Sequence, residues 1–193
     1  MYVALEGIDG VGKSTQLAHL QAAFPQALFT KEPGATPLGS AIRSLVLGDG
    51  EYSKKAELLL FLADRAEHTA TRISPALAAG RLVISDRSLI SGIAYADRSL
   101  EMAELCELNR FATDGLFPDK VIVLTITSSG YEKRIHIRNE GKDRIESRGT
   151  AYMMQTQERL IQACRALNIP CFTIEAEQDE MTIFKAIKEL IHD

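Results

Sequence analysis

The sequence lacks the cysteine and histidine pattern of a metal site. Its three cysteines, Cys106, Cys164 and Cys171, form no CxxC pair, and none of its four histidines stands with them at zinc-ligand spacing. We interpret all three cysteines as reduced thiols in the hydrophobic core. Chemistry that depends on a cysteine-bound metal is therefore excluded from the functions considered below.

Two further features are missing. The chain has 22 Lys and Arg against 26 Asp and Glu, a formal net charge of −4, so it lacks the basic surface that binds a nucleic-acid backbone. No apolar run approaches the roughly 18 residues of a membrane span, and the first residues suggest a strand and a glycine loop rather than a signal peptide. We expect a cytoplasmic protein that binds neither a membrane nor a nucleic-acid polymer.

The 193 residues, 46% of them hydrophobic, suffice for one buried core, and we expect one domain over residues 1–193. Five short apolar runs alternate with segments of helical periodicity, which predicts a parallel sheet covered by helices on both faces. The predicted strands are residues 2–5, 27–30, 82–85, 121–126 and 171–174. The predicted helices are residues 13–24, 37–46, 54–79, 89–113 with an interruption, 129–138, 150–167 and 178–192.

Residues 7–14 read GIDGVGKS, which matches the pattern GxxxxGK[ST] between the first predicted strand and the first helix. Glycines let the backbone curl around phosphates, Lys13 can reach the β- and γ-phosphates, and the Ser14 hydroxyl can bind Mg²⁺. We predict ATP and Mg²⁺ as cofactors, in a three-layer α/β/α fold of the P-loop NTPase type with a central five-stranded parallel sheet. The predicted ATP-binding residues are Gly7, Ile8, Asp9, Gly10, Val11, Gly12, Lys13, Ser14 and Thr15.

A P-loop needs a carboxylate near its metal, and Asp86 and Arg87 stand at the end of the third predicted strand. The C-terminal ends of parallel strands face the ligand crevice. We therefore predict that Asp86 joins Ser14 at the metal and that Arg87 faces the phosphates. The alternative is that the Asp-Arg pair caps the following helix.

A P-loop identifies the phosphoryl donor and leaves the acceptor open. Arg43 lies in the helix after the second strand, where its guanidinium could bind an acceptor phosphate or simply face solvent. Phe61 and Arg65 are i, i+4 neighbours on a predicted helix, so together they could stack a base and hydrogen-bond its carbonyl. A core phenylalanine and a surface arginine fit the same spacing.

Four ordered motifs resemble the thymidylate kinase family. They are DGVGKST at residues 9–15, EPGAT at residues 32–36, ELLLFLADRAEH at residues 57–68 and DRSLISGIAY at residues 86–95. The resemblance runs over residues 2–95 and resumes near residue 143. It implies an ATP-dependent kinase that phosphorylates dTMP to dTDP.

The resemblance also implies a role for each matched residue. Phe61 would stack on thymine and Arg65 would bind its O4, while Asp9 would lie near the deoxyribose 3′-hydroxyl and Tyr95 would crowd the 2′ position. Arg43 and Arg87 would bind the acceptor phosphate, and Ser91 would line the base pocket. The implied substrate-binding residues are Asp9, Glu32, Pro33, Arg43, Phe61, Arg65, Arg87, Ser91 and Tyr95.

Bacterial members of this family without a basic residue inside the P-loop supply an arginine from a flexible lid. Residues 9–11 contain no basic residue here, and a charged insertion at about 136–149 is the lid candidate, with DRIE at residues 143–146 matching the family's DRxE. We favour Arg144 as the catalytic arginine and Arg138 second, beside Lys13 and Arg87; a merely solvated loop is the alternative. The resemblance further implies a homodimer.

The sequence departs from the family pattern at five positions: Ala35 replaces a glycine, Ser88 an aromatic or histidine, and Thr125 an aspartate, while Gly92 and Ala96 stand where many members carry a polar residue that can read thymine N3.

Two rival functions use the same loop. In a deoxynucleoside kinase, Glu32 would be the general base that a 5′-hydroxyl requires, whereas a phosphate acceptor is already ionised and needs no base. A GTP-dependent switch would carry [NT]KxD, and the nearest match, TKEP at residues 30–33, ends in proline.

Overall fold

The computed structural model of the chain describes residues 1–48, 50–96, 99–138 and 149–192. A central sheet contains five parallel strands in the order β2-β3-β1-β4-β5. The strands are β1 (Tyr2–Glu6), β2 (Leu28–Lys31), β3 (Val83–Asp86), β4 (Lys120–Thr125) and β5 (Cys171–Glu175). The five-stranded parallel sheet predicted from the sequence is thus confirmed, and each strand differs from its predicted bounds by at most one residue at either end.

The described helices are α1 (Lys13–Ala23), α2 (Pro37–Leu47), α3 (Lys54–His68), α4 (Ser74–Ala78), α5 (Leu89–Tyr95), α6 (Met102–Ala112), α7 (Ser128–Arg138), α8 (Thr150–Ala166) and α9 (Glu180–His192). The single helix predicted for residues 54–79 is wrong, because a π-helical turn at Thr69–Ile73 separates α3 from α4. Pro75, at the start of α4, has no N–H to donate, so a regular helix could not run through this point unbroken. Within the described ranges, no helix has the length and apolar character to cross a membrane.

Alternate residues of the central strands face opposite layers of helices. On one face, Leu5 and Ile122 pack with residues of α1 and α9, whereas Ala4 and Val123 pack on the other face with residues of α3, α5 and α6. Helix α8 contributes to both clusters. These side chains are buried, which is why the strands read as continuous apolar runs.

The strand register brings three chain segments together at one edge. Asp86, the last residue of β3, is paired with Leu5 of β1 and with Lys31 of β2. The residues that follow these three positions, Glu6, Glu32 and Arg87, therefore lie side by side where the strands end. Polar groups far apart in the sequence meet at this carboxyl edge of the sheet.

Candidate active site

Glycine shapes the segment between β1 and α1. Gly7, Gly10 and Gly12 have φ angles of 148°, 81° and 96°, a backbone region that other residues rarely adopt. A Cβ atom at Gly7 would lie 2.8 Å from Val11 Cγ2, so the close approach also requires glycine. Because α1 begins at Lys13, the loop ends on a helix N-terminus, where free N–H groups and the helix dipole attract anions.

Lys13 folds back onto this loop. Its Nζ atom donates to the carbonyl oxygens of Gly7 at 2.8 Å and Ile8 at 3.1 Å. Burial, and after it the positive charge of Arg87, lower the pKa of Lys13 to about 8, although nearby carboxylates offset part of the shift. The buried ammonium is therefore short of negative charge, which a bound polyphosphate would supply.

Arg87 crosses from the end of β3 to the same loop, with a φ angle of 68°. Its Nη1 atom donates to Gly7 O at 3.2 Å and to Ser91 Oγ at 2.9 Å, and its Nη2 atom donates to Asp9 Oδ1 at 2.5 Å. The guanidinium also lies over the ring of Tyr95, 5.2 Å from its centroid. Burial opposes the charge, but Tyr95 and Asp9 outweigh it and raise the pKa of Arg87.

The two residues predicted to bind metal differ in their surroundings. Asp86 ends β3, and its Oδ1 atom is buried with no hydrogen-bond partner among the described residues. Ser14 lies exposed in the first turn of α1. Buried carboxylate oxygens normally have a partner, and a water bound to Mg²⁺ would provide one, so these residues fit the metal. The following helix is capped by the Ser88 hydroxyl, which accepts from the N–H of Ile90 at 3.2 Å, and not by the Asp-Arg pair.

Arg43 lies over the turn that follows β2, where the Glu32–Pro33 peptide bond is cis. Its Nη1 atom donates to Pro33 O at 3.0 Å, and a Cβ atom at Gly34 would lie 2.9 Å from Arg43 Cδ. The Gly34 N–H donates to Asp64 Oδ1 at 3.0 Å, which ties the turn to α3. Arg43 is thus half-buried against this turn, and the interpretation of a purely solvent-facing side chain is wrong.

Arg65 is buried, with 3% of its surface exposed, so it is not the surface arginine that the i, i+4 spacing also allowed. Its Nε atom donates to Glu32 Oε2 at 2.8 Å, and its Nη1 atom donates to Asn109 Oδ1 at 2.7 Å. Asn109 is in turn held by its Nδ2 atom, which donates to Leu105 O at 2.7 Å. In the described part of the chain, Nη2 has no hydrogen-bond acceptor, which leaves one end of the guanidinium for a ligand.

Both carboxylate oxygens of Glu32 are engaged. Oε2 accepts from Arg65, and Oε1 lies 3.0 Å from His68 Nδ1, which carries the proton of that hydrogen bond because an ionised carboxylate only accepts. The other ring nitrogen of His68 lies 2.6 Å from Thr30 Oγ1. Burial alone would raise the pKa of Glu32, but the charge of Arg65 and the hydrogen bond from His68 outweigh it and lower the pKa.

Gly92 owes its lack of a side chain to Arg65. A Cβ atom at position 92 would lie 2.5 Å from Arg65 Nη2 and 2.8 Å from Nη1. The guanidinium cannot move aside freely, because Glu32 and Asn109 hold it. The glycine at this position, a departure from the family pattern, therefore leaves the guanidinium the space that it occupies in this chain.

Three other predicted substrate residues lie around this edge. Phe61 is half-buried on α3 and, in the described ranges, belongs to none of the three hydrophobic clusters. Tyr95 is largely buried, and its hydroxyl has no hydrogen-bond partner among the described residues. The Ser91 hydroxyl lies between Arg87 and Glu6, so its predicted contact with the base remains a prediction.

Two residues that the structure brings to the site were not predicted from the sequence. Glu6 and Asn109 are both fully buried, and each accepts a hydrogen bond from a side chain near the predicted ligands. The available signals were a glutamate at the end of an apolar strand and an asparagine inside a helix. Neither signal names a partner, because the partners are distant in the sequence.

The predicted lid lies mostly outside the described residues. Arg144 is among the residues not described, and only the backbone of Arg138 is described, at the end of α7. Arg134, one turn earlier on α7, donates from Nη1 to Gly10 O at 3.3 Å and also hydrogen-bonds Ala176 O. An arginine of α7 therefore touches the glycine loop.

Fold and site together define a class: a nucleotide-binding phosphotransferase built on a parallel α/β sheet. The sequence model described as "Thymidylate kinase" matches residues 5–187 of the chain. Relatives named thymidylate kinase include those of Wolinella succinogenes (52% identical; 91% of this chain and 90% of the relative covered), Sulfurimonas denitrificans (46%; 97% and 97%) and Helicobacter hepaticus (43%; 100% and 98%). The chain belongs to the thymidylate kinase family, which confirms the resemblance drawn from its motifs.

Replacing Gly92 with alanine tests the packing of Arg65. In an ordinary helix this change stabilises by roughly 0.5–1 kcal/mol, whereas here the added methyl must displace a buried, paired guanidinium. We expect Gly92→Ala to lower the melting temperature and to raise the KM for dTMP about tenfold or more, with the KM for ATP changed little. Thermal denaturation and steady-state kinetics measure both. A stabilised variant with the wild-type KM for dTMP would show that Arg65 has room to move.

Proposed function

We propose that the glycine loop, Lys13 and four arginines carry out the reaction of this family, ATP-dependent phosphorylation of dTMP to dTDP. The observation that carries the proposal is the state of Glu32. Its two oxygens are bound to Arg65 and His68, so the glutamate that a nucleoside kinase would use as its general base is already engaged. A phosphate acceptor needs cations instead, and cations are what the edge contains.

On the donor side, residues 7–15 hold the triphosphate of ATP. Lys13 reaches the β- and γ-phosphates, and the proposal is supported by its lowered pKa, which a polyanion would raise. Ser14 and Asp86 hold Mg²⁺, with Asp86 acting through its buried oxygen that has no partner among the described residues. The metal, when bound, neutralises charge on the phosphates, and no protein side chain needs to form a covalent intermediate.

On the acceptor side, Arg43 and Arg87 bind the phosphate of dTMP, supported by their positions after β2 and β3 at the same edge of the sheet. Arg65 offers to thymine O4 its Nη2, which has no acceptor among the described residues, and the half-buried Phe61 stacks on the base. The remaining assignments rest on position beside these groups: Asp9 and Tyr95 at the sugar, and Pro33 and Ser91 lining the pocket.

In-line placement of two polyanions and neutralisation of their repulsion account for the chemistry. The second pKa of a phosphate monoester is about 6, so an acceptor oxygen is a nucleophile at neutral pH without help. The nearest rival, a deoxynucleoside kinase, would leave Arg43 and Arg87 without a phosphate and would need Glu32 free. A nucleotide switch would need no acceptor pocket at all.

The function is tested by measuring ADP formation from Mg-ATP with dTMP, dUMP, the ribose form of TMP, and thymidine offered separately. We expect turnover with dTMP and none with thymidine, because only the monophosphate engages the two arginines. Lys13→Ala serves as the control that loses activity with every acceptor. Turnover with thymidine alone, or ATP hydrolysis that ignores every acceptor, would contradict the proposal.

We further propose that a lid at about 136–149 supplies the arginine that neutralises the phosphoryl group in transfer, with Arg144 favoured and Arg138 second. A contact made mainly in the transition state lowers kcat and leaves KM unchanged. We expect Arg144→Ala to lower kcat about 100-fold with both KM values within twofold of wild type. A wild-type kcat in Arg144→Ala and a loss in Arg138→Ala would transfer the role to Arg138; Arg134→Ala is the matched third variant.

A homodimer is the proposed assembly, supported by an apolar surface on adjacent helices. Phe111 and Leu108 of α6 are 86% and 37% exposed, and Leu59 of α3, which packs beside α6, is 56% exposed. We expect Phe111→Glu to weaken self-association by at least about 2 kcal/mol, roughly 30-fold in Kd, because it buries a charge in an apolar contact. Sedimentation analysis measures this, with Met181→Glu on α9 as the control. An unchanged dimer in Phe111→Glu would exclude α6 from the interface.

A further inference from the structure

Glu6 is a buried carboxylate to which the phosphoryl transfer proposed above gives no role. It is the last residue of β1, directly before the glycine loop, and none of its surface is exposed. An isolated charge in such a place is costly, and proteins retain one only where hydrogen bonds and opposite charges compensate it. Its partners therefore indicate what it does.

The partners of Glu6 come from the first turn of α5 and the residue before it. Oε1 accepts from Ser88 Oγ at 2.8 Å and from the Ser91 N–H at 3.3 Å, and Oε2 accepts from Ser91 Oγ at 2.6 Å. The strand that leads into the phosphate loop is thus fastened to the helix that follows Arg87. Glu6 itself is fully buried, and both of its oxygens accept hydrogen bonds from described residues.

The hydrogen bonds form a chain in which Arg87 donates to Ser91 and Ser91 donates to Glu6. A serine hydroxyl has a single proton, and Ser91 gives that proton to Glu6. Its lone pair is then turned to Arg87, whose Nη1 atom donates to Ser91 Oγ at 2.9 Å. We propose that Glu6 is a positioning residue that acts through the Ser91 hydroxyl to hold the Arg87 guanidinium in place for the acceptor phosphate. The inference rests on the proposed function in so far as Arg87 binds that phosphate.

The geometry requires a carboxylate and not merely a polar group of the same size. In glutamine, an amide nitrogen at the Oε1 position would face the N–H of Ser91, donor against donor. At the Oε2 position it would donate to Ser91 Oγ, and the serine proton would lose the acceptor that Glu6 provides. Neither orientation of the amide reproduces the native pattern.

The charges agree with the same arrangement. Burial raises the pKa of Glu6 above its ordinary value, and Arg87, followed by the two serine hydroxyls and Lys13, offsets only part of that rise. In return, Glu6 is one of the carboxylates that raise the pKa values of Arg87 and Lys13. The carboxylate therefore stabilises the charged forms of both cations.

The test compares Ser91→Ala and Glu6→Gln with Thr156→Ala. Thr156 is the matched control, since it is a fully buried hydroxyl that donates to Tyr152 O at 2.9 Å inside α8 and not to Glu6, Ser91 or Arg87. We expect all three variants to lose thermal stability. Only Ser91→Ala and Glu6→Gln should raise the KM and Kd for dTMP, about tenfold, with the KM for ATP within twofold of wild type.

A double-mutant cycle separates this relay from a direct contact and does not depend on Glu6→Gln being folded. If Ser91 acts through Arg87, Ser91→Ala should weaken dTMP binding about tenfold in the wild-type background and not at all in Arg87→Ala, as calorimetry would record. An equal loss in both backgrounds would mean that Ser91 contributes to dTMP binding independently of Arg87 and would overturn the proposal. So would an unchanged dTMP affinity in Ser91→Ala, or in a folded Glu6→Gln variant.

Failure of the proposed function gives a different result. A wild-type protein that shows no dTMP-dependent ADP formation would refute the function itself. If the wild-type protein turns over dTMP but Arg87→Ala leaves the affinity for dTMP unaltered, Arg87 does not bind the phosphate. The proposed relay from Glu6 to Arg87 is then refuted as well. If the variants of Glu6 and Ser91 refute the relay while Arg87→Ala still weakens dTMP binding, the proposed function is unaffected.

Discussion

The site depends on the pairing of buried charges between chain segments that are distant in sequence. Glu32, after β2, bridges Arg65 and His68 of α3, and Arg65 also binds Asn109 of α6. Removing one partner from such a pair leaves the other buried without compensation, at a cost of about 3–5 kcal/mol. The same bonds thus fix two things. They hold α3 and α6 relative to the sheet, and they hold Arg65, the arginine proposed to bind the base.

That pairing also gives Arg65 its directionality. A free arginine can turn its donors toward any acceptor, whereas Glu32 and Asn109 fix the plane of this guanidinium and leave Nη2 over Gly92. Recognition of a base carbonyl by a fixed donor discriminates well, because a ligand without the acceptor leaves a buried N–H unpaired. Gly92 is part of this arrangement, because any side chain at that position would occupy the space of Arg65 Nη2.

The fold was largely readable from the sequence because its signals are local. Apolar runs of four to six residues predicted all five strands, and the loop at residues 7–14 was located by pattern alone. The π-helical turn at Thr69–Ile73 was not predicted, since the helical periodicity of residues 54–79 continues through it. Boundaries of this kind depend on where a proline falls within a helix, which a hydrophobic pattern does not record.

The candidate site was only partly readable, for a reason that Arg65 and Glu6 illustrate. The i, i+4 spacing placed Arg65 beside Phe61 but allowed a surface or a buried position, and its burial depends on Glu32 and Asn109, 33 residues before it and 44 after it. Glu6 gave no signal of its own, because its partners stand more than 80 residues away. Sequence motifs identify residues that contact a ligand. The residues that hold those ligand-contacting residues in place are identified by contacts that form on folding.

The cations of the site are only partly balanced by protein groups. Arg87 is bound to Asp9 and Lys13 to loop carbonyls, while burial, and after it the charge of Arg87, lower the pKa of Lys13. A phosphate that binds either cation would relieve the repulsion between the two, but two bound nucleotides also repel each other. Lys13 touches the donor loop, and Arg87 joins that loop to the strand end beside the acceptor, so each cation can bind one of the two polyanions and offset part of their repulsion. Bringing both nucleotides into line, which phosphoryl transfer between them requires, therefore depends on these cations.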